Sequence, residues 1–375
     1  MKRILVTACL LFLLGMLGKI AASTIDWSPS GPIPRELHSA VLDTVTNKTI
    51  VFGGLPSDTS SSKNLNDVWH LMNTGSTNLS WARVAITGSA MPAGRFGHSA
   101  GYDPTSNEMI IFGGAKGRST PCLNDVWDLS NANGTGSLLP GWTQLSPSGT
   151  APAARTTQGG VYDPGSNTLM IFGGQDCGST TFSDAWYLWN ANGVGGTPTW
   201  GQLLTSSGPG PRQGIGQSVV YNATTNQLIL FGGTNGSGTY FNDVWTLGNA
   251  NGYPTGSTAP WTQVSTSGTP PAARAGASVI YDSANNILTL FGGGNASGNF
   301  GDTWVLSNAN GQGGTSTWTQ IASRSLDFPA ARINHTAVWN SSTDKMTIFG
   351  GNLGSIGSVI VRTSDVFTLS NANGQ

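Results

Sequence analysis

The sequence predicts an all-β fold in which six four-stranded sheets stand around one axis as a propeller. Three observations predict it. The tripeptide FGG recurs at 52–54, 112–114, 172–174, 231–233, 291–293 and 349–351, a period of 58 to 60 residues. An apolar run precedes each copy, as in MIIFGG (109–114) and LILFGG (228–233). A variable loop follows, then LNDVWHL (65–71), LNDVWDL (123–129), FSDAWYL (182–188), FNDVWTL (241–247), FGDTWVL (300–306) and TSDVFTL (363–369). Self-similarity at such a period marks a repeat architecture.

Each unit reads as four short strands divided by turns rich in Gly, Pro, Asn and Asp. A Pro-x-x-Arg element and an alternating strand such as HSAGYD (98–103) open the unit. The apolar strand ending in FGG is second and the Asp-x-Trp strand third. A turn of the NANG type and a segment such as WTQL (142–145) complete it. One such sheet cannot bury both faces, so the blades must stack. The glycine doublet suits a tight turn where a side chain would collide. The expected blades are 32–86, 87–146, 147–204, 205–265, 266–322 and 323–375.

Five fourth strands follow a NANG-type turn, headed by Trp81, Trp142, Trp200, Trp261 and Trp318. The sixth turn, LSNANGQ (369–375), is followed by none. Upstream, TIDWSPSGP (24–32) resembles WTQLSPSGTAP (142–152), so residues 24–31 are expected to supply the missing strand. Aligning SPSG puts Trp27 on the Leu145 position; aligning the tryptophans shortens the loop that follows. Closing the ring in this way removes an exposed sheet edge.

The unit resembles the kelch repeat, whose glycine doublet and spaced aromatics match these positions over residues 32–375. The resemblance implies a propeller whose lead-in loops and strand two–three loops share one face, where kelch domains usually bind partners. It also extends to the propeller of the galactose oxidase superfamily and to sialic-acid epimerases of the same fold. Copper ligation in the former needs tyrosines and a thioether-linked cysteine, which this chain does not match. The latter need a general acid/base. Only Glu36 and Glu108 could serve, Glu36 better because it adjoins Arg35 on the expected binding face.

Composition narrows the setting. Lys2 and Arg3 precede an apolar run, Ile4 to Leu17, and small residues follow, which reads as a secretory signal over 1–23. That run is too short and too near the start to read as a membrane span. Without Lys2, Arg3 and Lys19, 14 basic face 18 acidic residues, a balance that argues against nucleic acid. The 13 Trp and 13 Phe provide material for a core.

Several residue sets are candidates for the site. Arg35, Arg95, Arg155, Arg274 and Arg332 occupy one repeat position; in the fourth unit Gly214 holds the aligned place and Arg212 is displaced by two. They could ring the channel mouth and grip carboxylates, or pair structurally with Asp67, Asp125, Asp184, Asp243, Asp302 and Asp365. His38, His98 and His335 share another position, where the remaining units carry Gln158, Gln217 and Ala277. They could converge, yet on separate strands they are expected to stand too far apart for one metal ion. Lys63, Lys116, Arg118, Asp176, Tyr240 and Arg362 lie in the variable loops 55–64, 115–122, 175–181, 234–240 and 352–362 and break the repeat, which makes them specificity candidates.

Cys122 and Cys177 fall in loops of adjacent blades and suggest a disulfide worth about 4 kcal/mol in the chain-entropy model. Eight Asn-x-Ser/Thr triplets carry little weight in so Asn-rich a chain. The leading expectation is a secreted, monomeric, non-catalytic module with no cofactor and no metal, recognising an extracellular protein or glycan through one loop face. The alternatives are an extracellular carbohydrate-active enzyme and a structural surface or adhesion protein.

Overall fold

A computed structural model describes residues 31–57, 64–74, 76, 78–117, 121–253, 255–256, 258–322 and 328–374. Within them every regular element is a strand. Blade one comprises Ser39–Asp43, Lys48–Pro56, Leu65–Met72 and Ser80–Arg83. Blade two comprises Ser99–Asp103, Glu108–Ala115, Cys122–Ser130 and Gly141–Leu145. Blade three comprises Gly159–Asp163, Thr168–Phe172, Ala185–Trp189 and Thr199–Gln202. Blade four comprises Val219–Asn222, Gln227–Thr234, Tyr240–Gly248 and Thr258–Gln263. Blade five comprises Ser278–Asp282, Ile287–Phe291, Thr303–Ser307 and Ser316–Ile321. Blade six shows Thr336–Asn340, Lys345–Phe349 and Val366–Ser370. The strands named for each blade form an antiparallel meander, as the turn pattern requires, and Leu204–Ser206 and Thr266–Ser267 add short parallel edges to blades four and five.

The first strand of each blade lies beside that of the next, and the first strand of blade six lies beside that of blade one. The fold is therefore a six-bladed β-propeller. A circuit of main-chain hydrogen bonds fixes its centre. Leu37 N–H donates to Asn334 C=O at 2.9 Å, Gly97 to Leu37 at 2.8 Å and Thr157 to Gly97 at 2.7 Å. Ile215 donates to Thr157 at 3.3 Å, Gly276 to Gly214 at 2.8 Å and Asn334 to Gly276 at 2.8 Å. Leu37, Thr157 and Asn334 adopt positive φ to make these bonds, an unfavourable conformation held by its surroundings.

The glycine doublet is a bulge at the end of strand two. At the second glycine a methyl group would collide with the lead-in segment of its own blade. At Gly114 (φ +92°) it would lie 2.8 Å from the Phe96 carbonyl oxygen. The phenylalanine before the doublet is buried and receives the fourth-strand tryptophan of the following blade. The ring centroids are 4.9 Å apart for Phe52–Trp142, 5.0 Å for Phe112–Trp200 and 4.7 Å for Phe172–Trp261. Phe231–Trp318 stand at 5.5 Å and Phe349–Trp81 at 4.7 Å. Phe291 has no such indole among the described residues.

The expected closing strand, residues 24–31, lies outside the described residues except for Gly31. That residue sits against Trp81, where a methyl group would be 3.0 Å from the indole Cδ1. Gly208, which leaves blade three, meets Trp261 in the same way at 2.4 Å. The terminal NANG turn needs no fourth strand to be held. Asn373 Nδ2 donates to Asp282 at 3.0 Å and Thr289 donates to the Ala372 carbonyl, both on blade five.

If residues 24–30 complete blade six, deleting them lowers the melting temperature by about 5 °C or more in a thermal scan. An unchanged transition would leave blade six three-stranded.

Candidate functional site

The lead-in strand of each blade pairs with the start of its own strand two–three loop. Arg35 pairs with Pro56, Phe96 with Ala115, Thr156 with Gln175, Gln213 with Thr234, Ala275 with Gly294 and Ile333 with Asn352. The two loop sets thus share one face, the loop face. Blades five and six extend their loops into small hairpins, Gly294–Asn295 with Gly298–Asn299 and Asn352–Ile356 with Val359–Arg362.

Of the two arrangements expected for the arginines, structural pairing with the strand three aspartates is the one present, and they form buried clasps. Arg35 donates through Nη1 to the Gly53 carbonyl at 2.9 Å, and through both Nη atoms to Asp67 at 2.8 and 2.9 Å. The same fork joins Arg95 to Asp125, Arg155 to Asp184, Arg274 to Asp302 and Arg332 to Asp365. These arginine side chains are 0% exposed against 16–37% for their carboxylates, so solvent meets the acid edge and no cationic ring. Burial pushes the carboxyls of Asp67, Asp125, Asp184 and Asp302 up. The guanidinium hydrogen bonds and charge more than offset it and hold them below the ordinary range.

The fourth unit corrects the alignment. Arg212, not Gly214, fills the arginine place, donating to the Gly232 carbonyl at 2.9 Å and forking onto Asp243. Ile215 takes the position of the histidines, packing on Gly233 as His38 packs on Gly54. Gly216 and Gln217 are two extra residues taken up in a turn before strand one.

His38, His98 and His335 do not converge on one point. Each is buried in a seam and shares a hydrogen bond with a first-strand hydroxyl of the preceding blade. The partners are Thr336 at 2.8 Å, Ser39 at 2.8 Å and Ser278 at 2.7 Å. Among the described residues no group of three His, Cys, Asp or Glu is placed to hold a metal ion. Burial and a neighbouring arginine lower the imidazole pKa to about 3 at His98 and His335, and well below its ordinary value at His38. The three rings and the central circuit line a cavity of about 30 Å³, too small for a monosaccharide.

Of the loop candidates, Arg362 is buried and ion-paired with Glu36 at 2.6 Å, and donates to the Pro56 carbonyl at 3.0 Å. That pair removes Arg362 from ligand contact and Glu36 from acid–base service. Asp176 accepts from the N–H groups of Gly178 and Thr180 at 3.0 and 2.8 Å and organises its own loop. Tyr240 is half-buried on strand three, and Lys116 is exposed. Lys63 and Arg118 lie outside the described residues. Cys122 and Cys177 form a disulfide between the loops of blades two and three.

Sequence reasoning missed that these loops are sewn together. Asn64 Nδ2 donates to Ala115 C=O at 3.2 Å, Thr181 to Asn235 C=O at 3.1 Å and Asn299 Nδ2 to Asn352 C=O at 3.0 Å. With the disulfide and the Arg362–Glu36 pair, five seams carry a link on this face. On the opposite face the NANG turns latch one blade to the one before. Asn133 donates to Asp43 at 2.8 Å and Asn192 to Asp103 at 2.9 Å. The recurrence of NANG was the available signal, but not the reach of its second asparagine.

A centre narrowed by a circuit of main-chain hydrogen bonds and a loop rim linked across five seams define a six-bladed repeat propeller. The sequence profile of the KLHDC2/KLHL20/DRC7 Kelch-repeats domain matches residues 11–188, 61–246 and 137–351, and the chain belongs to the kelch-repeat family. It is 27% identical over 229 residues to the F-box/kelch-repeat protein At1g51550 of Arabidopsis thaliana, covering 59% of this chain and 43% of that protein. It is 33% identical over 153 residues to host cell factor 1 of Rattus norvegicus, covering 38% of this chain and 7% of that one. The chain therefore spans less than half the length of these curated relatives. The solved structure of YjhT superposes with a TM-score of 0.61 at 14% identity, covering 91% of this chain and 96% of that one, which shows the shared fold. No helix among the described residues is long and apolar enough to cross a membrane.

Two measurements check these assignments. Arg155→Ala leaves Asp184 in a partly buried site without its counter-charge and should cost about 3–5 kcal/mol in urea unfolding. The buried histidines make the fold acid-sensitive. Their stabilisation is complete above the ordinary imidazole pKa of about 6.5. It falls as the pH drops toward about 3, because the unfolded chain takes up protons that the folded rings refuse. NMR of ¹⁵N-labelled imidazoles at pH 5 should show His98 and His335 neutral; protonated rings there would contradict their burial.

Proposed function

We propose that the chain is an exported, non-catalytic module that binds another protein through its loop face. The observation that carries this is the sewn rim. Links across five seams hold the variable loops in fixed relation, and preorganised loops lose little freedom on binding. Membership of the kelch-repeat family supports a protein partner. The N-terminal leader sequence supports export, and the Cys122–Cys177 disulfide suits an oxidising compartment. The narrow centre and the pairing of Glu36 with Arg362 count against a sugar-processing site at the mouth of the ring.

The test uses the purified full chain without its leader and a phage-displayed library of random peptides. Selected binders should lose affinity when arginine replaces an exposed loop-face residue, with Ser237, Ser297 and Ile356 each tried. They should tolerate Val45→Arg and Val194→Arg on the opposite face. Binders that map to the opposite face, or no selectable binder at all, would overturn the reading.

A further inference from the structure

Three of the four histidines bridge first strands; the fourth, His70, stands on strand three of blade one, in the seam with blade two. The corresponding residues of the later blades are Asp128, Tyr187, Thr246, Val305 and Thr368. In the four seams that follow, the glycine of each NANG turn lies against carbon atoms of the preceding blade. A methyl group at Gly193 would meet Leu145 at 3.3 Å, and one at Gly252 would meet Tyr187 at 2.7 Å. At Gly311 the neighbour is Val264 at 3.5 Å, and at Gly374 it is Val305 at 3.3 Å. At Gly134 the methyl group would instead meet the His70 imidazole, 3.1 Å from Cε1 and 3.8 Å from Nδ1.

That ring is fixed on one side and open on the other. His70 is only 6% exposed, and its Nε2 lies 2.7 Å from the Ala132 carbonyl oxygen. A carbonyl can only accept, so Nε2 carries the proton of the neutral ring and Nδ1 is a bare acceptor. Burial lowers the pKa from the ordinary imidazole value and keeps the ring neutral. Nδ1 has no hydrogen-bond partner among the described residues, and His70 borders a cavity of about 210 Å³ between the two blades. Val84 of blade one and Leu138, Leu139 and Pro140 of blade two form other parts of its wall. Leu138 and Leu139 are 72% and 58% exposed. The wall is pinned across the seam, because Thr87 N–H donates to the Pro140 carbonyl at 2.8 Å.

These features select a ligand. A bare, nearly buried acceptor calls for a donor, since leaving it unpaired is costly. The nearby charges of Lys48 and Asp43 act on the ring with opposite sign, which favours neither an anion nor a cation. The leucines, Val84 and Pro140 offer apolar contact to the rest of the molecule.

We infer that the seam of blades one and two holds a binding site, away from the loop face, for a small neutral hydroxyl compound with an apolar body. Its O–H donates to His70 Nδ1, and its body lies between Val84 and the Leu138–Leu139 pair. The site is independent of the loop-face reading.

The probe is benzyl alcohol, compared with benzyl methyl ether, which keeps the ring and loses the donor. Each is titrated into the full chain without its leader, labelled with ¹⁵N-histidine. Benzyl alcohol should move the His70 Nδ1 resonance saturably and leave those of His38, His98 and His335 in place. The ether should bind about tenfold more weakly. Two variants, each first matched to wild type in melting temperature, are followed by ligand-observed NMR. His70→Gln, which retains a donor for the Ala132 carbonyl, should bind the two probes alike. Leu138→Ser with Leu139→Ser should weaken both probes and preserve the advantage of the alcohol. Equal affinity of alcohol and ether for the wild-type chain would overturn the assigned hydrogen bond. No saturable change at His70, as for a cavity that holds only water, would overturn the site. Should neither variant fold, the wild-type comparison decides by itself.

Discussion

Every blade is organised by one buried guanidinium. Arg95 shows the arrangement: its side chain clasps the glycine doublet and the strand three aspartate of its own blade. Its main chain belongs to the seam, because its N–H donates to Leu65 and its carbonyl accepts from Gly54, both in the preceding blade. Arg35 does the same toward blade six, taking Thr363 and Gly351 as partners at 3.2 and 2.8 Å. The inner closure of the ring is therefore complete whatever supplies the outermost strand. A lysine could not replace the fork, since the geometry needs a planar, permanently charged group with several fixed donors.

Three further concentric sets of contacts depend on that placement. The peptide circuit closes the axis, the phenylalanine–tryptophan pairs fill the seams, and the NANG latches tie the face opposite the loops. Because all of them use main chain or repeated side chains, the loops need not follow the repeat and can differ from blade to blade, each making its own link to a neighbour where it has one. This is the usual division in a scaffold that carries a binding face.

The repeated features were legible because the physics that requires them is local. A glycine where no Cβ fits recurs in every copy, and an aspartate two residues from a tryptophan whose indole N–H it accepts recurs in five of the six; Asp125 and Trp127 are one instance. Two other kinds of fact escaped. Spacing alone misplaced Arg212, since an insertion of Gly216 and Gln217 downstream of it looks in the sequence like a shifted arginine. The pairing of Glu36 with Arg362 bridges 326 positions and has no repeat counterpart, so Arg362 read as a free specificity residue until its surroundings were known. Burial decided between the two readings of the arginines, hiding them and presenting the edges of their acids.

Closure of the axis has a consequence for how the molecule comes apart. A linear array of repeats has two terminal units, each with a single neighbour, and can fray from either one. In this ring no unit is terminal at the inner radius, so releasing any blade breaks two seams at once. Unfolding is accordingly expected as one sharp event over the whole chain. A cut in a single surface loop would leave the circuit of Leu37, Gly97, Thr157, Gly276 and Asn334 intact, and the nicked protein would stay assembled.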